Sequence, residues 1–326
     1  MLKRMTYKKI MLTSLTVILI TLIYLIPGNQ KFLDLENKQS LEYVNHNTFT
    51  HEVYLMDSYN YIARTTVIIT EENKKDIEKK ARELLEFLII EGVSESKIPN
   101  GFKPIIPADT RILTIEYVDD GIIKVNLSDE ILNQNKELEE KMIESIIYTL
   151  TTIEEVKGVL IYVEGKILTK LPKTGNSLPS LLTRNYGVNK LYDIKSIKNI
   201  SSVTVYYLNK YNDNYYYVPV TKYINDDREK INIIIDELAS GPIYEANLMS
   251  FLSSNVKLLN YEYIENQMKL EFNSNILSGL KDKKILEEVL YSISYSINDN
   301  YEVEKVSLYV DNEEITSKCI KKCVGD

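Results

Sequence analysis

This chain carries one series of elements twice, and that duplication constrains its fold more than any other feature. Residues 52–55 and 61–69, rich in β-branched and aromatic side chains, flank the turn Asp57-Ser58-Tyr59-Asn60 and read as a hairpin. Residues 203–208 and 215–223, around a turn at 209–214, read the same way. An amphipathic helix follows each. Ile77, Ala81, Leu84, Leu85, Leu88 and Ile89 share one face in the first, and Ile231, Ile234, Ile235 and Leu238 share one in the second. Glu91-Gly92 and Ser240-Gly241-Pro242 are the expected stops. A second hairpin then turns at Asp119-Asp120-Gly121 in one copy and at Glu265-Asn266 in the other. A second helix and a closing strand complete each series, at separations of roughly 143 to 152 residues throughout.

The order ββ-α-ββ-α-β predicts an α+β fold, with helices packed on a mostly antiparallel or mixed sheet. Each unit of about 110 residues is large enough to bury its own core. The chain divides into residues 1–26, a spacer at 27–50, a first unit at 51–165, a connector at 166–201, a second unit at 202–312, and a frayed tail at 313–326. The connector is irregular by composition, but Leu171, Leu178, Leu181, Leu182, Val188 and Leu191 predict that it packs against a domain.

The first 26 residues differ from the rest. Lys3, Arg4, Lys8 and Lys9 precede the uncharged stretch 10–26, which Pro27-Gly28-Asn29 ends. Such a stretch spans about 26 Å as a helix, the short end of a membrane crossing. The basic flank predicts a single-pass anchor in the cell membrane, with the bulk of the chain extracytoplasmic; a cleaved signal peptide is the alternative. With those four basic residues set aside, the formal charge moves from −8 to −12. That balance argues against nucleic acid and acidic polymers as partners.

The Val205-Tyr206-Tyr207 strand, the helix end Leu238-Ala239-Ser240-Gly241-Pro242, the run Tyr148-Thr149-Leu150-Thr151 and the closing strand at 159–165 together resemble the GerMN domain family of spore-forming Gram-positive bacteria. The connector, from Leu171-Pro172-Lys173-Thr174-Gly175 to Val188-Asn189, is similar to that of tandem members. The likeness spans about residues 52–312. It departs from the family in having no lipobox cysteine, no proline after Gly92, and Asp311-Asn312 where a glycine closes the first copy. The resemblance implies ring-building-motif-like domains without catalytic residues. It also implies a sporulation or germination protein that scaffolds or stabilises an envelope complex between mother cell and forespore, with channel or ring components as partners. The alternative is an extracytoplasmic module binding a small molecule or peptidoglycan.

The inventory of chemistry is thin. Ser-x-x-Lys occurs at Ser94, Ser254 and Ser278, as chance allows in such a chain, and the one Lys-Thr-Gly lies in the connector. His46 and His51 read as solvated spacer residues. Cys319 and Cys323 allow either a local disulfide or two free thiols. Asp119 and Asp120 are turn residues, and Asp226-Asp227 are expected to cap the following helix. No catalytic, metal or cofactor residues are expected. Tyr206, Tyr207, Tyr211, Tyr215, Tyr216 and Tyr217 crowd the first hairpin of copy two, either as an ordinary strand pair or as an exposed partner-contact face.

Overall fold

The computed structural model describes residues 49–70, 76–242, 246–279 and 283–320. The expected anchor at 10–26, most of the spacer and His46 lie outside the described residues. No helix among the described residues is long and apolar enough to cross a membrane.

Copy one runs β1 (Phe49–Asp57), β2 (Ile62–Ile69), α1 (Ile77–Glu86), β3 (Phe102–Lys103), β4 (Ile112–Val118), β5 (Ile122–Leu127), α2 (Glu139–Leu150), β6 (Gly158–Val163) and β7 (Lys166–Ile167). A short strand, β8 (Leu191–Asp193), lies in the connector. Copy two runs β9 (Ile200–Tyr211), β10 (Asn214–Asn225), α3 (Lys230–Ser240), β11 (Leu258–Ile264), β12 (Gln267–Phe272), α4 (Glu287–Asn300), β13 (Lys305–Val310) and β14 (Glu313–Cys319). The fold is mixed α+β, and the duplicated order is present.

The helices start and stop for local reasons. Asp76 caps α1 by accepting the Lys79 N–H at 3.1 Å. That helix ends at Glu86, short of the expected Glu91-Gly92 stop. The chain instead turns into the core, burying Phe87, Leu88 and Ile89, and the Leu88 carbonyl takes the Ile105 N–H at 2.9 Å. Gly241 ends α3 at φ 75°, a conformation that costs other residues strain, and its N–H reaches the Glu237 carbonyl at 3.1 Å. The expected Asp226-Asp227 cap of α3 is absent: Glu229 precedes the helix without a side-chain bond, and Asp226 pairs with Arg228 at 2.7 Å.

Two four-stranded sheets repeat one topology, β4-β5-β6-β7 and β11-β12-β13-β14. In each, the first and last pairs are antiparallel and the central pair is parallel. Each first pair carries a bulge near its start, at Ile112/Thr114 and Leu258/Asn260. The tail read as frayed is in fact strand β14 through Cys319. Asp311 (φ 53°) and Asn312 (φ 63°) make the tight turn that Glu164 and Gly165 (φ 47° and 77°) make in copy one. Positive φ at both residues suits two-residue hairpins, and Asn tolerates it without glycine.

The opening hairpins depart from the picture of two self-contained units. They join one shared six-stranded sheet in which β2 meets β10 at Arg64 and Tyr217, and β8 lies parallel to β10. The cores interlock accordingly. Tyr206 of copy two sits in the first core and Ala63 of copy one in the second. The connector packs through four of its expected residues, Leu171, Leu178, Leu182 and Val188, which are buried. Leu181 and Leu191 instead remain partly exposed, Leu181 lying over the Cα of Gly158 and Leu191 in the edge strand β8.

Candidate functional site

The residues with the most polar chemistry converge where the copies meet. Tyr54 on β1 and Tyr206 on β9 hold corresponding positions in the repeat, and their hydroxyls meet at 2.8 Å. Each is fixed by the second helix of its own copy. The Tyr54 N–H donates to Thr149 Oγ1 at 2.9 Å, and the Tyr206 N–H to Ser296 Oγ at 2.8 Å. Tyr148 packs edge-on against Tyr54 at 5.3 Å between centroids, and Tyr295 lies tilted against Tyr206 at 5.5 Å. Residues aligned by the duplication thus face one another across an approximate two-fold relation.

A second crossing pair follows three residues on. Asp57 is fully buried. Its Oδ1 accepts the Tyr59 and Tyr61 N–H groups at 2.9 and 2.8 Å, closing the turn. Its Oδ2 accepts the Tyr216 hydroxyl at 2.8 Å and Asn209 Nδ2 at 3.3 Å, both from copy two. Burial and this carboxylate push the Tyr216 hydroxyl above the ordinary tyrosine range, so it stays a donor.

The connector supplies two pins. Asn189 Oδ1 takes the Ile62 N–H at 2.9 Å, while Nδ2 donates to the Ile62 and Pro219 carbonyls at 2.8 and 2.7 Å. It thereby ties β2 to β10 beside their bridge. Its backbone N–H donates to Glu144 Oε2 at 3.0 Å. Burial pushes the Glu144 carboxyl up to about 7 despite the Lys190 ammonium at 3.7 Å. Arg184 is the other pin. It ion-pairs Asp299 at 2.5 Å, donates to Thr151 Oγ1 at 3.0 Å and to the Tyr148 carbonyl at 3.3 Å, and lies 4.7 Å from the Tyr148 ring centroid. Asp299 also accepts the Tyr206 hydroxyl at 2.9 Å. Arg64 pairs with Glu52 and stands 3.6 Å over the Tyr295 ring, another crossing contact.

A cleft of about 790 Å³ opens above this junction, lined by Arg64, Arg184, Tyr206, Tyr295, Asp299 and Lys318 among others. Chemically, the arrangement clamps: Arg184 of the connector bridges Asp299 of copy two to Thr151 and Tyr148 of copy one, while Arg64 pairs with Glu52 inside copy one. Among the described residues, no group of three or more His, Cys, Asp and Glu is placed to hold a metal.

The tyrosine face read from sequence is corrected. Tyr206, Tyr207 and Tyr216 are buried, so they cannot form an exposed surface. Tyr217 is half-buried against Tyr291 and Tyr295, at 6.0 and 5.2 Å. Tyr211 is half-buried over Gly101, where an added Cβ would meet its ring at 2.6 Å. Tyr215 alone is exposed, at 42%, with its ring edge-on to Phe251 at 5.3 Å. The cluster serves contact between the copies and within the second core. His51 is also not a spacer residue. It lies in β1, hydrogen-bonded to Thr152 Oγ1 at 2.9 Å, and burial lowers its pKa to about 4. Cys319 is disulfide-bonded, while Cys323 lies outside the described residues. The Ser-x-x-Lys serines fall in three separate loops. Arg184, Asn189 and Asp57 were not singled out from sequence. The one available signal was that Asp57 and Asn209 occupy matched positions in the repeat.

Comparison with known proteins agrees with this architecture. The family model described as "Germane: Sporulation and spore germination" matches residues 52–169 and 204–316, one span per copy. The spore germination protein GerM of Bacillus subtilis (strain 168) is 32% identical over 271 residues, covering 82% of this chain and 72% of that protein. The solved tandem GerMN domains of the sporulation protein GerM from Bacillus subtilis superpose with a TM-score of 0.74 at 31% identity, covering 82% of this chain and 92% of that one. The doubled match, the shared fold and the level of identity place this chain in the GerMN family of sporulation and spore-germination proteins.

Proposed function

We propose that the protein is a non-enzymatic, membrane-anchored scaffold that assembles or stabilises an envelope complex during sporulation or germination, with channel or ring proteins as partners. The observation that carries the reading is the junction. Its charged and aromatic side chains engage one another, so they hold the two copies as one body, each copy keeping a four-stranded sheet of the same topology. A rigid double module suits assembly, because ordering is complete before a partner arrives. Membership in the GerMN family supports the process, and the basic flank before residues 10–26 supports the anchor.

The test is genetic and biochemical. Deleting the gene in a spore-forming host should collapse heat-resistant spore counts, and the tagged protein should co-purify with envelope proteins from sporulating cells. Normal spore counts in the deletion strain would sink the proposal. The junction cleft favours a second reading, in which a small polar ligand or a peptidoglycan fragment binds between the copies. Saturable binding of a defined muropeptide, lost on Lys318→Ala, would favour it.

A further inference from the structure

The connector carries an exposed apolar finger that the junction does not use. Strand β8 and the residues after it, Leu191 to Ile200, run along the edge of the shared sheet. Five large hydrophobic side chains face solvent there: Tyr192 (66% exposed), Ile194, Ile197 (93%), Ile200 and Leu191. A soluble face seldom gathers so many without a partner.

This exposure is built into the fold. Asn225 at the end of β10 clamps the tip from both sides. Its Oδ1 accepts the Lys195 and Ser196 N–H groups at 2.7 and 3.0 Å, and its Nδ2 donates to the Ser196 and Lys198 carbonyls at 2.8 and 2.6 Å. With the backbone held on either side, Ile197 is presented outward. Tyr192 is braced by stacking on Tyr223, 4.8 Å between centroids.

The surrounding charge identifies the partner. Lys195 and Lys198 flank Ile197, and both are exposed. Within Leu191–Ile200 the only carboxylate is Asp193 against these two lysines, so the finger itself carries a small positive excess on a chain whose formal charge is −8. Lys190, just before it, is taken up by Glu140 and Glu144. The carboxylates nearby lie at the base: Asp226 shares Arg228 with Asp236, and Asp227 accepts Asn199 Nδ2 at 3.3 Å, whereas the two lysines flank the tip. Alternating aliphatic and lysine side chains with a tyrosine at the margin match a bilayer interface. There, methyl groups enter the acyl boundary, the phenol sits at headgroup depth, and ammonium groups meet phosphate. We infer that the 191–200 finger is a contact site for an anionic lipid surface, seating the double module against a membrane. The finger has these features with or without an anchor; the anchored reading adds only that a bilayer is within reach.

The chain has no tryptophan, so Ile197→Trp places a single reporter at the tip. The full-length variant is combined with vesicles of phosphatidylcholine alone or with phosphatidylglycerol. The expected result is a blue-shifted, bromolipid-quenched emission from the introduced indole only where phosphatidylglycerol is present. Lys195→Gln and Lys198→Gln should each weaken that response about fivefold, the factor equivalent to about 1 kcal/mol per lysine near an anionic surface. Water-like emission in both vesicles would overturn the inference. So would a blue shift that ignores lipid charge and vanishes on dilution, which would indicate contact between copies of the chain. Flotation of the full chain with phosphatidylcholine vesicles reports the anchor separately, so failure of one reading is distinguishable from failure of the other.

Discussion

Replacing Arg184 with alanine should loosen both copies at once. Its partner Asp299 is 1% exposed at the side chain and keeps only the Tyr206 hydroxyl once the guanidinium is gone. Removing one member of a buried pair costs about 3–5 kcal/mol, because the remaining charge is left uncompensated. Two further hydrogen bonds, to Thr151 Oγ1 and the Tyr148 carbonyl, are lost as well, each worth about 1 kcal/mol. Water entering from the adjoining cleft offsets part of this, which points to a net loss of about 3 kcal/mol. For a body of this size that corresponds to a melting point lower by roughly 5 °C. With no tryptophan, the transition is read by circular dichroism in urea and heat. Adding Asp299→Leu to Arg184→Ala should recover much of the loss, since no buried charge remains. The reasoning is refuted if Arg184→Ala costs under about 1 kcal/mol, or if the second change makes matters worse.

Other expectations are briefer. Asn189→Ala removes three bonds between the connector, β2 and β10, so it should cost about 2–3 kcal/mol and speed amide exchange at Ile62 more than in α1. Tyr217→Ser should destabilise by about 2–4 kcal/mol, because its ring packs on Tyr291 and Tyr295, whereas Tyr215→Ser should stay within about 1 kcal/mol in the same urea melts. The folded state holds the Glu144 proton up to about pH 7, while the unfolded chain releases it near the ordinary value of 4.5. Between these limits the folded state binds more protons, so this group's contribution falls as pH rises, by up to about 1.4 kcal/mol per unit. Glu144→Gln should therefore gain stability relative to the parent across that window. His51 acts in the opposite sense, because its folded pKa of about 4 lies below the ordinary 6.5. Its contribution is present above that ordinary value and is lost as pH falls toward 4, so His51→Gln should narrow the acid-induced loss.

The duplicated order was legible because hairpin turns and helix faces are local patterns. What joins the copies was not, since Tyr54 and Tyr206 lie 152 positions apart and pair only in three dimensions. The tyrosine cluster misled for a physical reason. β9 is buried at seven consecutive residues, Val203 to Asn209, so both faces of the strand are covered and alternation carries no signal. Arg184 and Asn189 sat in a polar connector, where such residues are usually solvated. β14 was missed because Asp311-Asn312 reaches positive φ without the glycine that marks most tight hairpins.

The claim that the copies behave as one clamped body is tested most directly by native-state hydrogen exchange. The slowest amides of α2, in copy one, and of α4, in copy two, should open with the same free energy, and Arg184→Ala should lower both together. Opening energies that differ between the helices by more than about 2 kcal/mol, or a drop confined to one copy, would contradict it.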